Sequence, residues 1–233
     1  MEGDVHRLRR EACVACFHCV EECYSGALEV VGSERTVDDI IVEVLRDKPF
    51  YTESGGGMTV SGGEPLAQAS FTEALLRRAK AEGLHTCLET SGAAPWEDLA
   101  ALVPYVDCFL YDYKETDPER HRAFTGHDNA RTLDNLRRLD AAGAPIILRC
   151  PVVPGVNLRE DHLRGIAALA GSLRNARGVN VMGFHRLGEG KRERIGLTAE
   201  GRLPDGLESM TPDAVDQVVA RLHALGVTGA SAG

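Results

Sequence analysis

Short apolar strands followed by amphipathic helices constrain this chain more than any other feature. Met58 to Val60 reads as a strand, and Ala67 to Ala81 as the helix after it. His85 to Gly92 is a second strand, with a short helix from Trp96 to Leu102. Val106 to Lys114 is a third, with helices over Asp117 to Phe124 and Ala130 to Ala142. Ile146 to Arg149, a helix from Arg159 to Leu173, and a strand from Val179 to Phe184 complete the alternation. Further helices are predicted from Thr36 to Asp47 and from Pro212 to Leu225, the latter capped by Thr211. Strand and helix alternating about five times define an α/β class, with parallel strands in a sheet or an incomplete (βα) barrel.

In such folds ligands bind where parallel strands end. Polar groups gather there: Glu64 after one strand, Glu89 and Thr90 after the next, then Asp112 and Lys114, Arg149, and His185. Any one of them, Lys114 apart, reads more readily as a cap or ion-pair partner. Together they offer cations for a carboxylate and acceptors for an ammonium, as a zwitterionic nucleoside requires. The first of these loops is the richest. In Ser54 to Leu66, Gly62 and Gly63 leave backbone bare to an approaching ligand, and Glu64 adds a carboxylate. Carbonyls beside one carboxylate suit an ammonium group better than a phosphate.

Four of the seven cysteines, Cys13, Cys16, Cys19 and Cys23, form C-x2-C-x2-C-x3-C. That is the bacterial ferredoxin spacing, whose thiolates wrap an iron–sulfur cluster. Zinc is the competing metal, although zinc sites usually pair C-x2-C with a distant second pair. Tyr24 stands where ferredoxins usually have proline, and the chain has no second run to share ligands with the first. Cys87, Cys108 and Cys150, each in an apolar run, read as buried core residues. The formal net charge of −9 argues against general nucleic-acid binding. No apolar run reaches membrane-spanning length and the N-terminus lacks a signal-peptide core, so the cytoplasm is expected.

The stretch GGGMTVSGGEPLAQ resembles the GGEP region of radical S-adenosylmethionine (SAM) proteins, in the form found in activating enzymes of glycyl-radical enzymes (the pyruvate formate-lyase activase type). The rest of the chain from Cys13 onward fits the same pattern. LETSG is similar to that family's LDTNG strand, with Glu89 where aspartate is common, and DYK to its DLK. LRCPVVPGVN resembles its PxVPG segment, and FHRLGEGKRERIGL its PYHxLGxxK segment. Ser25 to Gly32 resembles the short strand after the cysteine run.

The resemblance implies a radical SAM oxidoreductase that uses SAM and [4Fe–4S] chemistry to place a radical on a glycine of a partner glycyl-radical enzyme. A low-potential donor such as flavodoxin or ferredoxin would reduce it. SAM would be held by Gly62, Gly63, Glu64, Asp112, Lys114, Arg149 and His185, and a monovalent cation by Glu89, Thr90 and Asp112. A small cysteine-bound segment is expected over residues 1–33 and the partial barrel over 34–233.

The family's defining C-x3-C-x2-C does not occur in this sequence, and twelve residues precede Cys13. An N-terminally truncated product is one expectation; a degenerate, non-catalytic homologue holding a cluster and SAM is another. On either, the chain as written is expected not to generate the 5′-deoxyadenosyl radical. A third reading, outside the family, is a zinc-stapled α/β enzyme acting on a phosphorylated metabolite.

Overall fold

The computed structural model describes residues 8–186 and 206–233, which divide into two compact units. One comprises residues 8–35 with Arg186, and the other residues 36–185 with 206–233. The FHRLGEGKRERIGL segment lies outside the described residues beyond Arg186.

In the smaller unit, helix α1 (His18–Glu21) is one turn long, between Cys16 and Cys23. Ala15 and Phe17 adopt left-handed φ values of 53° and 62°, a conformation costly for residues with a side chain. Residues 25–35 carry no regular structure, so the strand expected over Ser25 to Gly32 is absent. Val30 and Val31 are exposed, and with no apolar face covered the segment has nothing to hold it extended in a sheet.

The larger unit is an all-parallel, six-stranded sheet in sequential order. Its strands are β1 (Gly57–Val60), β2 (His85–Thr90), β3 (Cys108–Asp112), β4 (Ile146–Val152), β5 (Ala176–Gly183) and β6 (Ala230–Ala232). The sequence indicates five of them; β6 is three residues long and escapes a periodicity argument. Helices α2 (Val37–Val44), α4 (Ala69–Ala81), α5 (Trp96–Leu102), α6 (Pro118–Thr125), α7 (Ala130–Ala141), α8 (Glu160–Ser172) and α9 (Pro212–Ala224) match the expected segments. Thr36 and Asp39 close a capping box on α2, and Thr211 caps α9. An unexpected helix, α3 (Lys48–Ser54), buries no residue and so carries no apolar stripe to betray it.

Alternation along the strands separates two faces. Leu88, Phe109, Tyr111, Ile146, Leu148, Cys150, Val152, Val179 and Val181 are buried with Leu76, Leu99, Leu136, Ile166 and Leu222 of the helices. The opposite face carries Cys87, Glu89, Cys108, Leu110, Asp112 and Arg149, all half-buried. Cys150 is therefore a core residue as expected, whereas Cys87 and Cys108 are not. The apolar runs around them conceal the fact that every second residue points away from the helices.

Behind the end of β3 lies a buried polar network. Glu115 is 1% exposed and is clasped by both terminal nitrogens of Arg159, at 3.0 and 3.1 Å. It also accepts the backbone N–H groups of Thr116 and Asp117. His162, fully buried, meets Thr116 through Nδ1, while its Nε2 has no partner. Burial holds the His162 pKa below its ordinary 6.5, against the pull of Glu115. Burial pushes Glu115 up, but the bonds from Arg159 and the Asp117 amide outweigh it and leave its pKa below 4.5. The unfolded chain therefore takes up these protons first as the pH falls. Stability should decline on acidification below about pH 6.5, and further below about pH 4.5. Urea midpoints measured from pH 8 to pH 4 check this; a midpoint that rises on acidification would contradict it.

Candidate SAM-binding site

The sheet's carboxyl edge holds a pocket of about 100 Å³ lined by Ser61, Gly62, Gly63, Glu64, Glu89, Thr90, Ser91, Asp112 and Lys114. The last residues of β2 and β3 and the loops after β1, β2 and β3 supply all of these residues. Of the groups singled out in the sequence, Gly62, Gly63, Glu64, Thr90, Asp112 and Lys114 thus meet in one place. Arg149 joins them through its contact with Glu89. His185 is exposed just beyond β5 and is not among the lining residues.

Gly62 has φ of 140°, which a side chain would strain. Gly63 has no such restriction, and a Cβ added there would meet nothing within 4 Å. Packing therefore gives no reason for glycine at position 63, whereas an approaching ligand does.

Glu64 has a different task from the one its sequence position suggests. Its Oε1 accepts from Thr90 Oγ1 at 2.8 Å and the Leu66 amide at 3.3 Å. Its Oε2 accepts from Ser91 N at 2.9 Å and Ser91 Oγ at 2.7 Å. Both oxygens are thus committed to tying the loop after β1 to the end of β2. Thr90 is committed too, because its hydroxyl also accepts from the Gly92 amide at 3.0 Å.

The remaining charges face one another. Lys114 Nζ lies 3.5 Å from Asp112 Oδ2, and Arg149 contacts Glu89. Burial raises the Asp112 pKa, and Glu89 adds to this; Lys114 and Arg149 work against it. Two cations set beside two carboxylates can exchange these partners for the carboxylate and ammonium of a zwitterion. Behind them, Asn157 donates to the carbonyls of Lys114 (2.9 Å) and Pro151 (2.7 Å) and accepts from the Val153 amide (2.7 Å). Asn157 thereby fixes the Lys114 backbone to the end of β4. Sequence reasoning passed over Ser91, Asn157, Glu115 and Arg159, whose partners lie 27 to 44 residues away.

Cys13, Cys16 and Cys19 are exposed and Cys23 is half-buried. The Ala15 amide donates to Cys13 Sγ at 3.4 Å. Cys23 has a lowered pKa, first through the Ser25 hydroxyl and then the Leu28 amide. The Cys23 contacts favour its thiolate, the form that binds iron. Among the described residues, no three Cys, His, Asp or Glu side chains are gathered as metal ligands. The fit to an iron–sulfur cluster therefore rests on donor type and spacing.

The Radical SAM superfamily profile matches residues 14–166. The isethionate sulfite-lyase activating enzyme of Nitratidesulfovibrio vulgaris is 44% identical over 195 residues, covering 82% of this chain and 62% of that protein. The enzyme of the same name from Oleidesulfovibrio alaskensis is 38% identical, covering 96% of this chain and 72% of its own. A solved domain of the pyruvate-formate lyase-activating enzyme from Bacteroides vulgatus superposes with a TM-score of 0.61 at 26% identity, covering 76% of this chain and 99% of that one. The fold and site thus define a radical SAM protein with an open, parallel (βα) sheet. Within that superfamily, the chain belongs to the activating enzymes of glycyl-radical enzymes. It spans about two thirds of the length of these curated relatives.

Proposed function

We propose that the chain forms the SAM-holding part of an activating enzyme that installs a glycyl radical on a partner enzyme. The observation that carries this reading is the pocket at the ends of β1, β2 and β3, where an open glycine cradle faces paired charges. Its volume suits the amino-acid end of SAM. Gly62 and Gly63 present backbone to the ammonium group, and Lys114 and Arg149 take its carboxylate. Glu64, with Thr90, keeps the cradle in shape. Asp112 orients Lys114, and His185 reaches the nucleoside end from β5. Glu89 and Asp112, beside Thr90, hold a monovalent cation. Cys13, Cys16, Cys19 and Cys23 supply thiolates to a [4Fe–4S] cluster. SAM with a reduced cluster, when bound, supplies the one-electron chemistry that removes a hydrogen atom from glycine. A flavodoxin or ferredoxin provides the electron, and the cytoplasm is the compartment. Among the described residues, no helix is long and apolar enough to cross a membrane.

Replacing Lys114 or Arg149 by alanine should weaken SAM binding by about 2 kcal/mol, the scale of a charge-assisted contact. Calorimetry on cluster-loaded protein measures it, and unchanged affinity in both variants would refute the assignment. The activity is tested by mixing reduced protein, SAM and a glycyl-radical enzyme anaerobically and recording the electron paramagnetic resonance spectrum. This chain, which carries no C-x3-C-x2-C run, should bind SAM and give no glycyl radical signal, whereas a version carrying that run ahead of Cys13 should give one that requires SAM. SAM binding without any such signal from the version carrying the run would show a non-catalytic SAM-binding protein instead.

A further inference from the structure

Cys87 and Cys108 stand directly opposite each other on β2 and β3. Both lie on the sheet face opposite the one that, among the described residues, packs on the helices, and both are half-buried. Adjacent strands run about 4.8 Å apart, and disulfides span Cα separations of about 4.4–6.8 Å. A bond between these two sulfurs therefore requires no slip in register. Cys87 Sγ has His85 Nδ1 3.9 Å away, and the Cys108 thiol donates to the Phe109 carbonyl at 3.9 Å. The neighbouring Cys108 thiol, together with the nearby imidazole, outweighs burial and lowers the Cys87 pKa to about 6. Nothing in the SAM reading employs either thiol, and packing against the helices does not account for two cysteines paired on the opposite face.

We propose that Cys87 and Cys108 are a redox-modification site that closes reversibly to a cross-strand disulfide on reaction with a peroxide. The Cys87 sulfur attacks the peroxide; an S–O bond forms as the O–O bond breaks, and one water leaves. The Cys108 sulfur then displaces the oxygen from Cys87, forming the S–S bond and releasing a second water. Two thiols lose two electrons and two protons, and one hydrogen peroxide becomes two waters. The linkage lies two residues before Glu89 on β2 and four before Asp112 on β3, on the face that carries both. It fastens two of the strands whose ends form the pocket.

The test is peroxide treatment of the whole protein, alkylation of the remaining thiols, and peptide mapping. No lysine or arginine falls between Lys80 and Lys114, so trypsin leaves both cysteines in one peptide, residues 81–114. That peptide should escape alkylation and lose the mass of two hydrogens. Cleavage of that peptide after glutamate should then yield residues 83–89 joined to 98–114, separable by dithiothreitol. In Cys108→Ser, Cys87 should stop at the sulfenic acid and be trapped by dimedone. Full alkylation of both cysteines after peroxide would overturn the proposal. So would oxidation of Cys87 to the sulfinic acid in the unaltered protein without any cross-linked peptide, or a link from either cysteine to another thiol.

Discussion

Replacing Arg159 by alanine is expected to destabilise the larger unit by about 3–5 kcal/mol, the range for stranding one member of a buried ion pair. Glu115, at 1% exposure, would keep the amides of Thr116 and Asp117, with the His162 ring 3.7 Å from its carboxylate. Those two bonds place the expected loss toward the lower end. Arg159 itself is 21% exposed, and its side chain also reaches Asp161 and the Val156 carbonyl. Those contacts are minor, because Asp161 is mostly in solvent. Lysine at 159 would keep the charge but not the two-pronged grip on the carboxylate. Denaturant titration measures the loss. A change under 1 kcal/mol would mean that Glu115 is not held by Arg159. Because Glu115 follows Lys114 directly, weaker SAM binding should accompany partial loosening of the loop.

Valine at position 63 should have the opposite profile, with SAM affinity lowered about 100-fold and stability nearly unchanged. Backbone geometry tolerates a side chain at Gly63, and open space surrounds it. The new atoms would occupy the cradle instead of disturbing the core. Overpacking a site costs about 1–3 kcal/mol, the upper end applying where a ligand must seat against rigid backbone. Thermal melting and calorimetry together separate the two effects. Full SAM affinity in a stable Gly63→Val variant would remove the glycine loop from the site.

The fold was legible because a parallel sheet writes itself as short apolar runs spaced by amphipathic helices. Thr36 and Thr211 announced two helix starts through local capping. What stayed hidden lacked a local signature. The three residues of β6 are too few for a pattern, and α3 has no buried face. Much of the pocket was legible for a related reason, since polar residues at strand ends of one sheet edge must be neighbours. Their internal partners were not. Whether Glu64 faces a ligand or ties Thr90 and Ser91 depends on loops that meet only in three dimensions. The Glu115–Arg159 pair spans 44 residues, and neither residue stands out where it lies. Cys87 and Cys108 were misjudged because hydrophobic neighbours report the strand, and only the alternation along it reports the face.

Titration of SAM into the cluster-loaded protein tests the central claim most directly, that the ends of β1, β2, β3 and β4 form a SAM site. One SAM should bind per chain, and the affinity should fall in Lys114→Ala, Arg149→Ala and Gly63→Val alike. Absence of binding, or binding that none of the three substitutions weakens, would contradict it.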